Sequence, residues 1–326
     1  MKCVLTAVVV TATLAPVAAL SDPFAFLHPT AVFRDREQRR LAGGEAIVRT
    51  VRGRPREVTL VSAVRIAVDG VRLMAWYRSI AELRRSSYVP EIGRFSDPPR
   101  LEDLDGLTIE PVDVDELRRC QPADCGLKLQ RAEIAELQRS FTQPRSQQQE
   151  AISIAFRRVV LARAQEYVRR GRDDGPPPPL FLSTQWPQLS NRITQYPRAS
   201  APDVESFLYW SKERLSGKPI VSATHVTIAR GEGRELPSPL IVSRQVFATH
   251  YLDGLWGVTT LAHDESGVTY FVYVNQTEVD LLRGVFGGLV RAAIERQLKN
   301  QAADLLQGVR RRLEGGDPPS SPVRGD

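Results

Sequence analysis

Apolar and polar positions change their spacing repeatedly along this chain, and each change marks a different kind of element. The opening stretch has no period at all. Lys2 precedes an apolar run from Val4 to Leu14, and small residues follow at Val17 and Ala19. A charged start, a short apolar middle and small residues before a cleavage point are the three regions of a secretory signal peptide, residues 1–19, with Leu20 as the mature start. A retained membrane anchor is the competing reading, but a bilayer span needs about 20 apolar residues, and this run is shorter and interrupted by threonines. Cys3 lies ahead of the apolar run, too early to be a lipid-attachment site, and leaves with the signal.

From residue 30 the period becomes helical and then alternating. Residues 30–42 read as a helix that stops at Gly43-Gly44, because glycine enters the left-handed region without a Cβ clash. Residues 46–51 and 57–68 read as paired strands, the second with Val58, Leu60, Val64, Ile66 and Val68 on one face. Asp69 can cap the next helix, 71–85, whose Leu73, Met74, Tyr77, Ile80 and Leu83 recur at helical spacing. Prolines make residues 90–99 extended or turning. Helical spacing then dominates from about 100 to 170, in short segments at 114–119 and 131–140 and a long one at 146–170. The long segment carries Ile152, Phe156, Val159, Val160 and Tyr167 on one side and ends before the Pro176–Pro179 run.

The second half alternates again. Five β-patterned runs, 205–214, 218–229, 240–252, 256–263 and 268–275, are separated by short turns, which predicts an antiparallel meander. A last helix over 278–314 shows Leu282, Val285, Phe286, Leu289, Ala293, Ala302, Leu305, Val309 and Leu313 on its apolar face. Residues 316–326 have the composition of a disordered tail. The expectation is an α+β protein: one domain over 24–315, with an antiparallel sheet wrapped on a long C-terminal helix and a helical insertion at about 100–200.

The run VRIAVDGVRLMAWYR at 64–78, a strand feeding a helix, is similar to the first strand and following helix of the START-like, or helix-grip, superfamily. The later meander and closing amphipathic helix follow the same order, over residues 46–98 and 205–314. The run is also similar to uncharacterised families of secreted bacterial proteins. The insertion at 100–200 departs from the superfamily pattern. The resemblance implies a curved sheet gripping the last helix and an apolar cavity between them for a hydrophobic or amphipathic ligand, while members also include enzymes and scaffolds. Gly284, Gly287 and Gly288 inside the last helix read either as close packing of helix on sheet or as room for a ligand.

Composition narrows this little. With 42% hydrophobic and 25% charged residues the 326-residue chain is ordinary for a globular protein. The net charge of +6 comes from arginines scattered among acids. The clusters at Arg169-Arg170 and Arg310-Arg311-Arg312 fall at helix C-termini, where the helix dipole favours cations. No nucleic-acid partner is expected. Cys120 and Cys125, spaced across Pro122-Ala123-Asp124, form a disulfide in an oxidising compartment; a redox couple and a metal clip are the alternatives, and no metal or cofactor is expected.

Histidine is the usual acid–base group near neutral pH. His28 precedes Pro29 at a surface position, while His225, His250 and His263 lie on the meander. Turns at Ser216-Gly217, 230–239, Asp253-Gly254 and 264–267 would set Leu208 opposite His225, His225 opposite Arg244, and Arg244 opposite His263. His250 would lie about 20 Å along its strand from that row. Two imidazoles beside a guanidinium repel a metal and suit an anionic group better, although ordinary polar strand residues explain the same letters. With aromatics added, the candidate ligand-binding residues are Tyr209, His225, Arg244, His250 and Tyr251. No catalytic residue is assigned, for the sequence has no nucleophile elbow, zinc-binding His pair, phosphate loop or dinucleotide motif. An enzyme using His225 or His250 as general base, and an envelope interaction protein docking through its helical insertion, are the alternatives to a ligand-binding protein.

Overall fold

The computed structural model describes residues 22–170, 175–195, 204–214, 217–230, 237–282 and 287–318. The expected signal peptide, Gly231-Glu232-Gly233, Gly284 to Phe286 and most of the tail lie outside the described residues. Eight strands form a single antiparallel sheet: β1 (Ile47–Arg52), β2 (Glu57–Arg65), β3 (Glu91–Arg94), β4 (Val204–Glu213), β5 (Ile220–Ala229), β6 (Leu240–Ala248), β7 (Leu252–His263) and β8 (Thr269–Val279). Their order is β1-β2-β8-β7-β6-β5-β4-β3. The last five strands are the predicted meander, β2 pairs with β8, and β3 pairs with β4. The protein is thus α+β, with an open antiparallel sheet and a C-terminal helix.

Between these strands run α1 (Asp35–Ala42), α2 (Gly70–Arg78), α3 (Ile80–Arg84), α4 (Pro111–Leu117), α5 (Arg131–Arg139), α6 (Arg145–Arg170), α7 (Leu180–Gln185), α8 (Pro187–Thr194) and α9 (Gly287–Glu314). Asp69 caps α2 as expected: its Oδ1 accepts from the Arg72 N–H at 2.8 Å. Ser79 leaves helical geometry and divides the helix predicted over 71–85 into α2 and α3. No glycine or proline marks that break.

Because successive strand residues point to opposite sides, the sheet buries two faces. On one, Leu208, Trp210, Ala223 and Phe247 pack against Ile152, Phe156, Val159, Val160 and Tyr167 of α6. That face continues through Val242, Trp256, Val258 and Val274 under Phe24, Phe181 and Trp186. On the other, Phe207, Val226, Ile228, Ile241 and Phe271 meet Leu73, Met74, Tyr77 and Leu83 of α2 and α3, and Leu306 and Leu313 of α9. The first half of α9 covers Val58, Val279 and Leu282 with Val290, Ile294 and Leu298. The α9 backbone runs closest to β1, β2, α2 and α3.

The last helix starts at Gly287, later than the predicted 278, because β8 runs on to Val279 and a single tight turn, Asp280–Leu282, follows. Leu289, expected on the buried side, is 75% exposed. At Gly288 an added Cβ would meet nothing within 4 Å, so close packing does not explain that glycine. It borders a recess of about 270 Å³ with Thr50, Arg291, Ala292 and Glu295.

Two of the three predicted meander registers stand: Leu208 is opposite His225 and His225 opposite Arg244. The third is wrong. Arg244 faces Trp256, and His263 faces Thr269 at the far end of β7. The chain reverses at His250-Tyr251, with Tyr251 in the left-handed region at φ 58°, rather than at Asp253-Gly254. An added Cβ at Gly254 would lie 2.2 Å from Pro176 Cδ, so this glycine admits the proline segment against β7 instead of making the turn.

Candidate functional site

The middle of the sheet is asymmetric. On the side of α6 to α8, Val242, Arg244, Trp256, Val258, Val274 and Gln276 are all buried. On the side of α9, the residues alternating with them, Ser243, Gln245, Leu255, Tyr273 and Asn275, each keep accessible surface. Ser243, Gly257 and Asn275 face one another across β6, β7 and β8. Gly257 keeps this floor low: an added Cβ would stand 3.4 Å from the Ser243 Cβ and 3.5 Å from the Tyr273 ring. The Asn275 amide donates to the Tyr273 hydroxyl at 3.0 Å, and Asn275 Oδ1 accepts from Thr277 at 2.5 Å. The side chains of Ser243 and Gln245 have no hydrogen-bond partner among the described residues.

One wall of this strip is built by the end of α3 and by β4. Arg84 donates to the Tyr209 hydroxyl and, at 3.1 Å, to Glu213, whose carboxylate also accepts from Ser211 at 2.9 Å. The guanidinium stands 5.5 Å from the Tyr209 ring centroid. It acts electrostatically on Tyr77, Tyr209 and Tyr273 together, yet about a third of its side chain (32%) is accessible. Burial opposes its charge, but Tyr209, Glu213, Tyr273 and Tyr77 raise its pKa on balance, so it remains a cation. Burial is also the main cause that raises the three phenols, which stay neutral donors and acceptors. Tyr77 closes the strip toward α2, its hydroxyl 2.6 Å from Thr259 Oγ1.

The five residues singled out from the sequence do not form one site. Tyr209 belongs to the wall just described. His225 and Arg244 lie on the opposite face, sealed under α6. His225 is 1% exposed with Nδ1 2.9 Å from the Tyr167 hydroxyl, and Arg244 lies 5.1 Å from the Trp256 ring centroid. Burial, helped by the Arg244 charge, pushes the His225 pKa down to about 3, so it is a neutral core residue at physiological pH.

His250 and Tyr251 form the β6–β7 turn. His250, also 1% exposed, sits with Nδ1 2.9 Å from the Gly126 carbonyl and Nε2 3.0 Å from Asp113 Oδ1. It ties the turn to α4 and to the disulfide loop. The Tyr251 hydroxyl accepts from the Lys218 N–H at 3.2 Å, which ties the same turn to the start of β5. A general base at either position would need a route to substrate that 1% exposure does not provide.

Cys120 and Cys125 form a disulfide beside a groove of about 670 Å³ lined by Asp115, Glu116, Arg119, Asp124 and Lys218. Ligand atoms of Glu116, Cys120 and Cys125 gather within 4.8 Å of one another. Their sulfurs are bonded to each other and are not thiolates, so they do not make a metal centre. Glu116 pairs with Lys218 across the groove.

The sequence reading missed Arg84, Glu213, Ser243, Gln245, Tyr273 and Asn275. The usable signal was the Ser243-x-Gln245 and Tyr273-x-Asn275 alternation: polar residues at the positions of a central strand that a closed core fills with apolar ones. No family model, no curated protein and no solved structure matches the chain.

Proposed function

We propose that this protein binds an amphipathic small molecule in the recess between the central strands and α9, with the ligand's polar end on the Ser243–Gln245–Tyr273 strip and its apolar end against Leu255 and the half-buried Ile294 and Leu298 of α9. The observation that carries this reading is the asymmetry of the sheet: polar side chains stay accessible on one side of β6 to β8 at positions where the other side is closed. Accessible polar side chains that no protein group engages can exchange their bound water for the polar end of a ligand. The reading takes the layout as a helix-grip one, with α9 over β1 and β2 bounding one side of the recess. It changes the expected cavity from apolar to partly polar.

The account includes export. The charged, apolar and small-residue regions of the N-terminus and the Cys120–Cys125 disulfide both favour an extracytoplasmic protein. Intact mass of the chain recovered from the cell envelope or medium tests this. The expected species begins at Leu20 and lacks the two thiol hydrogens; a full-length or reduced species would contradict export. The buried positions of His225 and His250 give the enzyme alternative no support.

Gly257→Val provides the binding test, since the added methyls occupy the floor between Ser243 and Tyr273. Displacement of an apolar fluorescent probe by a single-chain amphiphile is expected to weaken by about tenfold or more, a loss of roughly 1.4 kcal/mol, while the fold persists because the added Cβ stands at ordinary van der Waals distance from Ser243 and Tyr273. Unchanged displacement in a folded variant would overturn the site.

A further inference from the structure

Resting on that reading, we infer that the polar end of the ligand is an uncharged, hydroxyl-bearing group, of the polyol or sugar kind, rather than a carboxylate or phosphate. The strip presents donors and acceptors together. Ser243 and Gln245 can each give and take a hydrogen bond, and neither is engaged by a described residue. The Tyr273 hydroxyl already accepts from Asn275, which leaves its own hydrogen to donate. Arg84 uses one N–H on Tyr209 and one on Glu213, and has further N–H groups to offer.

Charge decides between head groups. Arg84 is the cation of this wall, and its pair with Glu213 cancels it. An anionic head would have to share the guanidinium with Glu213 and lie against that carboxylate. It would also leave the acceptors of Gln245 and Ser243 facing a group with no hydrogen to give. Vicinal hydroxyls meet neither obstacle, because each can donate to one partner and accept from the next. Of the other charges on this face, Arg78 pairs with Glu205, Glu295 of α9 lies beside Thr50 and Arg291, and the Arg94 guanidinium is stacked 4.2 Å from the Phe207 ring centroid at the outer edge of the sheet.

Decyl glucoside, decanoate and decyl phosphate share one alkyl chain and separate the possibilities when titrated calorimetrically below their micelle concentrations. The glucoside is expected to bind the full chain about tenfold more tightly than either anion. In the double variant Ser243→Ala, Gln245→Leu that preference is expected to fall to within about threefold. If decanoate or decyl phosphate binds as tightly as the glucoside and Gly257→Val still abolishes binding, the head-group inference fails while the site stands. If none of the three binds, or if binding ignores Gly257→Val, the site fails and the inference with it. Circular dichroism and thermal melting of each variant separate loss of the strip from loss of the fold.

Discussion

His225 shows how one residue's surroundings decide its role. Its imidazole was an attractive candidate base by residue type, but on β5 it points under α6, beside Arg244 and the Tyr167 hydroxyl. With the folded pKa near 3 and an unfolded value near 6.5, the unfolded chain takes up a proton that the native state refuses anywhere between those limits. Stability therefore falls as pH drops from about 6.5 toward 3, by on the order of 3 kcal/mol from this group by pH 4. His225→Gln keeps a polar partner for Tyr167 and removes the titration. Urea unfolding at pH 7 and pH 4 is expected to show a smaller loss of stability for the variant than for the parent chain; equal losses would contradict the buried, neutral assignment. Which face His225 occupies was legible in the sequence, because the expected turn at Ser216-Gly217 implies the Leu208–His225 pairing that β4 and β5 adopt. What covers that face was not, since Tyr167 lies 58 residues away along the chain.

At the scale of elements, legibility followed the turns. The β4–β5 and β5–β6 pairings came out as expected, whereas β6–β7 did not. Asp-Gly is strong turn chemistry, and Tyr251, a residue type that seldom adopts positive φ, gives no sign of the reversal it makes. The resulting shift of seven residues is odd, so it moved Arg244 from a predicted histidine partner to Trp256 and changed which residues of β7 share its face. Asp253, read as turn, instead joins Arg56 and Lys128 in ion pairs at the start of β7. If Gly254 serves the Pro176 contact, Gly254→Ala forces its methyl into the proline ring and should cost on the order of 1–3 kcal/mol in chemical denaturation. A neutral result would return the glycine to a turn role. The helices were legible where period and caps agreed, as in α6 and at Asp69. The break at Ser79 and the short α7 and α8 depend on packing that no local pattern announces.

The whole molecule is a sheet between two helical layers that are unequal in purpose. The layer of α6 to α8 covers the middle of its side, with Phe156, Phe181, Trp186 and the residues around them buried against β5 to β8. The layer of α2, α3 and α9 closes only the ends, since α9 lies over β1 and β2 and leaves the central strip accessible. Sequence period gave the class, α+β with a meander and a terminal helix, because hydrophobic spacing reports which positions are inside. It could not give the site, because Arg84 and Glu213 on one wall and Gln245 and Tyr273 on the floor converge only through the β2–β8 closure and the α3 position, which are long-range. The measurement that tests the binding account most directly is photo-crosslinking with a decyl glucoside carrying a diazirine in its chain, followed by peptide mapping. The account predicts adducts on the segments bearing Ser243 to Gly257 and Ile294 to Leu298, lost in Gly257→Val. Adducts centred on the groove beside Cys120 and Cys125, or spread evenly over the surface, would contradict it.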